Sequence, residues 1–233
     1  MDLRLVSFPS AQENILFDQV LFERAEQGLS SEALRFWESD TPFIVLGKTS
    51  KVQEEIIAER VERDSTAVIR RMSAGGVVVQ GKGCLNFTLI LSKIKNPEII
   101  TIASSYHFIL KKVILALHDL GVHACFYPPC DLALAENSRK FSGNAQRRGK
   151  HFILHHGTIL HHFDIGLAQA YLRLPSKTPS YRAGRSHQEF MANIDRNPQE
   201  IINSFLKVFK IKKSQHHLDA QELAHLDVLL KAQ

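Results

Sequence analysis

Apolar and polar positions along the chain follow two different periods, and segments of each kind alternate. Short β-branched or period-2 runs, typical of strands, occupy residues 3–8, 33–37, 43–46, 67–91, 124–129, 132–135, 141–146 and 152–160. Helical spacing of apolar residues predicts helices over 11–27, 51–63, 105–120, 165–172 and 198–209, with a last one after Asp219. The strands come in adjacent pairs with helices between the groups. This order predicts an α+β fold with a mainly antiparallel mixed sheet flanked by helices.

Capping residues mark where several of these helices start. Ser10 followed by Glu13 is a capping box, and Asn197 followed by Pro198 marks a later helix. Ser104 or Ser105 is predicted to cap the most apolar helix. Residues 51–63 carry many charges, and we expect them to form one solvated surface helix.

One stretch, Arg70 to Leu91, concentrates candidate chemistry. Two arginines enter a turn of small residues, 73–76, between apolar strands. Glycine permits positive φ and lets backbone N–H groups approach a ligand, and arginine offers a planar charged fork for carboxylate or phosphate. The turn is a candidate anion cradle. It matches neither GxGxxG nor the P-loop, so a hairpin turn with solvated arginines is the alternative.

A second stretch, 140–158, places a lysine beside another small-residue turn. Period-2 alternation predicts that Lys140, Ser142 and Asn144 share one face of a strand. A lysine there can bridge a carboxylate and a phosphate and stabilise negative charge on an acyl group. The alternative is an ordinary surface lysine at a hairpin.

Composition narrows the classes of function. The 233 residues are 44% hydrophobic and 23% charged, with a net charge of +5 that is spread along the chain. No lysine–arginine run argues for nucleic acid, and no apolar run is long enough to span a membrane. The N-terminus has no apolar signal-peptide core. Three cysteines without a CxxC pair favour a reducing compartment, so we expect a cytoplasmic protein.

Three His-His pairs, at 155/156, 161/162 and 216/217, raise the possibility of a metal-binding module. Adjacent residues on a strand point to opposite faces, so such a pair rarely donates both rings to one ion. We therefore assign no metal ligands from the sequence. A carrier-binding protein without catalytic activity is a further alternative.

The two stretches together resemble a known family. The segments RRMSAGG and LNFT, followed by KFSGNAQRR and HHGT, resemble motifs of the lipoate–protein ligase A and octanoyltransferase family, within the biotin/lipoate protein ligase superfamily. The segments ENILFDQVLFE, LRFWESDTPFIVLGKTSKVQEE and PSYRAGRSHQEFMANI also resemble family elements. The resemblance covers roughly residues 3–210.

The resemblance implies a biotin/lipoate protein ligase-like catalytic domain and a ligase reaction. ATP and lipoate or octanoate would form an acyl-adenylate, with Mg²⁺ as the implied metal. The acyl group would pass to a lysine on a lipoyl carrier domain of a 2-oxoacid dehydrogenase or on a glycine cleavage H-type protein.

The resemblance also implies roles for individual residues. Lys140 would be the catalytic lysine that binds the acyl carbonyl and the phosphate, and Asn86 would lie near the adenylate phosphate or its metal. The nucleotide and acyl phosphate would be held by Arg71, Gly76, Val77, Val78 and Val79, in a turn shaped by Ser73 and Gly75. The same pocket would be lined by Ser142, Gly143, Asn144 and Ala145 and bordered by His155, His156 and Gly157.

The sequence departs from the family pattern at three points. Ala74 stands in place of the first of three glycines, which is tolerable only if its φ is negative. Gly81-Lys82 replaces a histidine-aspartate pair, which puts a carboxylate-bound magnesium at that spot in doubt. We expect residues 1–212 to form the catalytic domain and 213–233 a helical tail, with no full accessory domain, so that adenylation would require a partner chain or the chain would perform transfer alone.

A competing reaction uses a cysteine instead of ATP. Transferases of this family carry an acyl group from acyl carrier protein through a cysteine thioester, and Cys125 precedes Lys140 by fifteen residues, as in one octanoyltransferase branch. A thiolate beside an ammonium group has a lowered pKa and can attack a thioester. Otherwise Cys125 is a buried apolar residue next to Phe126. Asp131 suits the ligase pattern.

Overall fold

The computed structural model describes residues 1–175, 178–211 and 218–232. Its strands are β1 Asp2–Leu5, β2 Ala33–Trp37, β3 Phe43–Leu46, β4 Ala67–Arg70, β5 Val78–Gln80, β6 Cys84–Ser92, β7 Ala124–Tyr127, β8 Asp131–Leu134, β9 Lys140–Arg148 and β10 Phe152–Leu160. Its helices are α1 Ala11–Glu26, α2 Val52–Glu55, α3 Ala58–Arg63, α4 Ile102–His118, α5 Ile165–Tyr171, α6 His187–Phe190, α7 Pro198–Val208 and α8 Ala220–Lys231.

Ten strands form two sheets within these ranges. The larger has the order β1-β2-β6-β10-β9-β8-β7, in which β1 and β2 are parallel and the other neighbours antiparallel. The smaller has the order β4-β3-β5, with β4 parallel and β5 antiparallel to β3. The predicted α+β class with a mainly antiparallel mixed sheet is confirmed.

Helices cover both faces of the large sheet. One face packs against α4 and α7 through residues such as Leu110, Val113 and Phe205, and the other packs against α1 through Phe17 and Val20. A third core joins the small sheet to α3 and α5. Burial of apolar surface on both faces explains why β6 is apolar along almost its whole length and buried throughout.

Two helix predictions need correction. Residues 51–63 form two short helices, not one, because Ile56 is buried and pairs with Leu172, which interrupts the helical backbone between α2 and α3. Helix α4 begins at Ile102 with Thr101 as its N-cap. Ser104, which the sequence suggested as the cap, is the third helical residue and closes a capping box with Thr101.

The last helix packs on the first. Leu226 joins the α1 core, and Glu222 forms a buried ion pair with Arg4 at 2.8 Å. The predicted boundary at 212/213 lies outside the described residues, so the division into two units stays a prediction. In the described ranges, no helix combines the length and apolarity needed to cross a bilayer.

Candidate active site

A cavity of about 620 Å³ lies between the two sheets and the 178–191 segment. Of the residues predicted from sequence to form a site, all but Ser73, His155 and Cys125 lie on its wall. The wall therefore includes Lys140, Arg71, Gly75, Gly76, Val77, Val78, Val79, Asn86, Ser142, Gly143, Asn144, Ala145, His156 and Gly157. The glycine turn and Lys140, far apart in sequence, face one space whose volume is typical of small-molecule sites.

The glycine turn is held by an arginine from inside. Gly75 has a φ of +115°, which only glycine adopts without strain, whereas Ala74 does not have a positive φ. Arg71 is buried and donates to the Ala74 and Gly76 carbonyls at 3.2 and 2.9 Å. Gly47 packs so closely on this turn that a Cβ would collide with the Gly75 carbonyl. Arg71 thus maintains the shape of the turn, and much of its donor capacity is already used there.

Ser73 and His156 form further hydrogen bonds behind Arg71. The Ser73 hydroxyl accepts from Arg71 Nε at 3.0 Å and lies 2.6 Å from His156 Nε2. Burial lowers the pKa of His156, so its ring is neutral at neutral pH. Because Ser73 Oγ accepts from Arg71, its hydroxyl proton can be donated to His156 Nε2. The ring proton of His156 then lies on Nδ1, which is 3.8 Å from Asp18 Oδ2.

Asp18 of α1 links this series of hydrogen-bonded side chains to the large sheet. It accepts from Arg35 at 2.7 Å and from Thr88 at 2.7 Å, all three being buried. Burial alone would raise the pKa of Asp18, but the charge of Arg35 and the contacts with His156 and Thr88 together outweigh burial, so the pKa lies below its usual value. An ionised carboxylate, its guanidinium partner and a neutral imidazole therefore form a side of the cavity on which every charge is paired, and we call it the α1 wall (Asp18, Arg35, Thr88 and His156).

Lys140 is held on the opposite side of the cavity. Its Nζ lies 2.8 Å from Asp131 Oδ1, and the Tyr181 hydroxyl donates to Asp131 Oδ2 at 2.8 Å. A register shift beside Leu132 and Ala133 interrupts the alternation of β9, and the amine lies against Gly143. The prediction that Lys140 shares a face with Ser142 and Asn144 is therefore wrong.

Asn144 and Ser142 line the cavity and also belong to a buried hydrogen-bond network that reaches His155. Asn144 donates to Ser142 at 3.2 Å and to the Cys130 carbonyl at 2.9 Å, and its Oδ1 lies 3.2 Å from His155 Nε2. Gln146 donates to His155 Nδ1 at 3.0 Å, so Nε2 carries the ring proton. Burial lowers the pKa of His155 to about 3. His155 supports β9 and does not border the cavity, which corrects the expectation for it.

The two cysteines near Lys140 differ in position. Cys125 is exposed on the edge strand β7, off the cavity wall, so the alternative that it is a buried residue is wrong. The register Cys125–Ala133–Lys140 puts its backbone two strands from Lys140, roughly 10 Å away. Cys130 lies on the wall, but burial, reinforced by Asp131, raises its pKa to about 11.

The described residues offer no ready metal site. No group of three His, Cys, Asp or Glu side chains in these ranges is arranged to hold an ion. The carboxylates nearest to His156 and Lys140 are already paired, Asp18 with Arg35 and Asp131 with Lys140. The donors present therefore do not fit the implied Mg²⁺, and no step proposed below passes through it. His155 and His156 point to opposite sides of β10, as expected, and the 216/217 pair lies outside the described residues.

Several residues on or beside the cavity wall were not identified as site residues from the sequence. Asp18 could have been suspected, because it is an acidic residue inside the apolar stripe of α1, beside Phe17. Tyr181 and Arg182 belong to the segment PSYRAGRSHQEFMANI, which resembles a family element. The spacing of its residues does not indicate that the segment folds over Lys140.

Comparisons with known proteins identify the family. Residues 10–210 match the lipoyl protein ligase A/B catalytic domain. The chain is 27% identical over 216 residues to a protein of Mycoplasma pneumoniae named "Probable lipoate-protein ligase A", covering 92% of this chain but 61% of that relative. It is 24% identical over 249 residues to octanoyltransferase LipM of Anoxybacillus flavithermus, covering 94% of this chain and 89% of that relative.

Solved structures agree on the fold. A bi-partite lipoate protein ligase of Thermoplasma acidophilum, described with its E2 lipoyl domain, has a TM-score of 0.85 at 21% identity over 99% of this chain and 91% of that chain. A lipoate-protein ligase A bound with ATP has a TM-score of 0.84 at 21% identity over 99% and 94%. Given the match over 10–210 and this shared fold, the chain belongs to the lipoyl protein ligase A/B catalytic domain family.

Proposed function

We propose that this chain is a lipoate–protein ligase, which activates lipoate or octanoate with ATP and transfers the acyl group to a lysine of a lipoyl carrier domain. The observation that carries the proposal is that Lys140 and the glycine turn face the same cavity. Relatives named as ligases, and a structurally similar ligase bound with ATP, support it. The partners we propose are lipoyl domains of 2-oxoacid dehydrogenases or a glycine cleavage H-type protein.

In the first step, the carboxylate of the fatty acid attacks the α-phosphorus of ATP and pyrophosphate leaves. The apolar part of the wall, which includes Ile15, Val45 and Val78, suits an eight-carbon chain. The turn at Gly75 and Gly76 allows backbone to approach the phosphate without a Cβ in between. Lys140, oriented by Asp131, places its ammonium where negative charge develops on the oxygens of the mixed anhydride.

In the second step, the amine of the carrier lysine attacks the acyl carbonyl and AMP leaves. The Lys140 ammonium stabilises the oxyanion at that carbonyl as well as the departing phosphate. Lys140 is partly exposed, with 26% of its side-chain surface accessible, so the reacting carbon lies near an opening that an incoming lysine can reach.

The state of the cysteines supports a ligase over a thioester transferase. A nucleophilic thiol needs a low pKa and access to the acyl group. Cys125 is off the cavity wall, and Cys130 is held as a neutral thiol by burial and by Asp131. The charge partner of Lys140 is a carboxylate instead of a thiolate.

Two reaction mixtures test the proposal. One contains lipoate, ATP and an apo-carrier domain, and the other contains octanoylated acyl carrier protein, the same apo-carrier and no ATP. We expect labelling of the carrier in the first, together with an acyl-adenylate bound before carrier is added. Labelling only in the second mixture contradicts the ligase assignment.

The second candidate is an octanoyltransferase that takes an acyl thioester from acyl carrier protein. The similarity to LipM over 94% of this chain favours it. Labelling in the second mixture that is lost in Cys125→Ser and retained in Cys130→Ser identifies this reaction and its nucleophile.

A further inference from the structure

Arg182 lies on the cavity wall with part of its guanidinium unpaired. Only 4% of the residue is exposed, and its Nη2 has no hydrogen-bond partner. Within residues 1–175, 178–211 and 218–232, no carboxylate forms an ion pair with it. A buried guanidinium without a counterion is unfavourable, because the desolvation of the charge is not compensated.

The rest of the side chain is held firmly in place. Arg182 Nε donates to the Arg185 carbonyl at 2.9 Å, and Arg185 Nε donates back to the Arg182 carbonyl at 3.1 Å. The guanidinium lies over the Phe190 ring, with Cζ 4.7 Å from the ring centre. The preceding Tyr181 stacks on Tyr127 at 4.1 Å and bonds to Asp131. The unpaired nitrogen therefore belongs to a side chain that several contacts hold in place.

The surroundings leave positive charge available on this side of the cavity. Asp131 accepts from both Lys140 and Tyr181, so its two oxygens are engaged. Burial lowers the pKa of His187, and the nearby charges of Arg182 and Lys140 lower it further. The Lys140–Asp131 pair is neutral overall, and Arg182 supplies a positive charge without a protein partner.

We propose that Arg182 binds a phosphoryl group that a nucleotide brings into the cavity, next to the atoms held by Lys140. This inference rests on the proposed ligase function. A fatty-acid carboxylate is a weaker candidate for this position, because it must react beside the Lys140 ammonium. Guanidinium groups hold phosphate oxygens through parallel N–H bonds, and a nucleotide phosphate would give this guanidinium on the cavity wall an anionic partner.

The test compares AMP with adenosine, which differ only in the phosphate. Calorimetry on the full chain measures the dissociation constants of AMP, adenosine, ATP and octanoate for the parent, Arg182→Gln, Arg182→Lys and Arg63→Gln. Arg63 is a matched control, because it is an exposed arginine paired with its neighbour Asp64, away from the cavity. We expect Arg182→Gln to weaken AMP binding about 10- to 100-fold, the range for a hydrogen bond to a charged group, and Arg182→Lys to weaken it less.

Adenosine and octanoate binding should be unchanged in Arg182→Gln, and Arg63→Gln should match the parent throughout. Equal loss for adenosine and AMP assigns Arg182 a merely structural role and overturns the inference. So does a loss for octanoate alone, which would place the fatty-acid carboxylate on Arg182. If the parent binds AMP and Arg182→Gln binds it equally well, only this inference fails. If the parent binds neither AMP nor ATP, the ligase proposal fails with it.

Discussion

The two walls of the cavity differ in net charge. On the α1 wall, Asp18 pairs with Arg35 and its other oxygen accepts from Thr88, while His156 is neutral. On the other wall, which we call the loop wall (Asp131, Lys140, Tyr181 and Arg182), there are two cations and one carboxylate, and that carboxylate pairs with Lys140. The paired charges of the α1 wall contribute to folding stability, whereas the surplus positive charge of the loop wall favours the binding of an anion.

The difference predicts that substitutions on the α1 wall lower stability and substitutions on the loop wall lower activity. Both walls contain a buried or half-buried acid–base pair, so the chemical change can be matched closely.

Asp18→Ala should have the largest effect on folding. It leaves the fully buried Arg35 without its counterion, and breaking a buried pair from one side costs about 3–5 kcal/mol. Urea unfolding followed by circular dichroism measures the change. Asp131→Ala, the matched substitution on the loop wall, should cost less than half as much, because Lys140 remains partly exposed. Equal losses for the two variants would remove the distinction between the walls.

Lys140→Ala should abolish most activity while preserving the fold. Removing one preorganised group that stabilises an oxyanion costs about 10²- to 10³-fold in rate. Carrier acylation under single-turnover conditions measures the loss, and a melting curve within a few degrees of the parent establishes that the variant is folded. A fully active Lys140→Ala chain would refute its assigned role.

Acid should destabilise the protein through the buried histidine behind the cavity. His155 has a pKa of about 3 when folded and 6.5 as its ordinary value, so protons bind preferentially to the unfolded chain. The free energy of unfolding should fall as pH drops from 6.5 toward 3, and His155 alone should account for about 2 kcal/mol of the loss between pH 6.5 and 4.5.

His155→Gln should make that acid-side slope shallower in urea titrations at successive pH values. His162→Gln, at an exposed histidine, should leave the slope as it is in the parent. An unchanged slope in His155→Gln would show that His155 is not the group responsible.

Tyr181→Phe should have the smallest effect, confined to activity. It removes the hydrogen bond to Asp131 but keeps the ring that stacks on Tyr127, so Lys140 is less firmly oriented. We expect kcat/KM for carrier acylation to fall about tenfold, as for the loss of one hydrogen bond to a charged group. Tyr127→Phe removes only the bond to Ser138 and should change the rate less than twofold. Similar losses in both variants would mean that the stack, not the hydroxyl, matters.

The segments whose structure depends on nearby residues were predictable. The helix starts at Ser10, Asn197 and Asp219 were predicted correctly, because each N-cap and its hydrogen-bond partner lie within three residues of each other. The strands at 33–37, 43–46 and 152–160 were also correct, since burial on a sheet imposes their β-branched and apolar content. The break between α2 and α3 was not predictable, because it depends on Ile56 pairing with Leu172, more than a hundred residues away.

The α+β class, most helix starts and the two stretches of candidate chemistry, around Gly75–Gly76 and Lys140, were predictable from the sequence, and both stretches lie on one cavity. Which charged groups have partners and which do not depends on contacts that the sequence pattern does not reveal. Arg71 and Arg182 are the same residue type, yet one is occupied by backbone carbonyls and the other has an unpaired nitrogen. The physical reason is that the free energy of a charged group depends on its burial and on its partners, and both are set by contacts between residues distant in sequence.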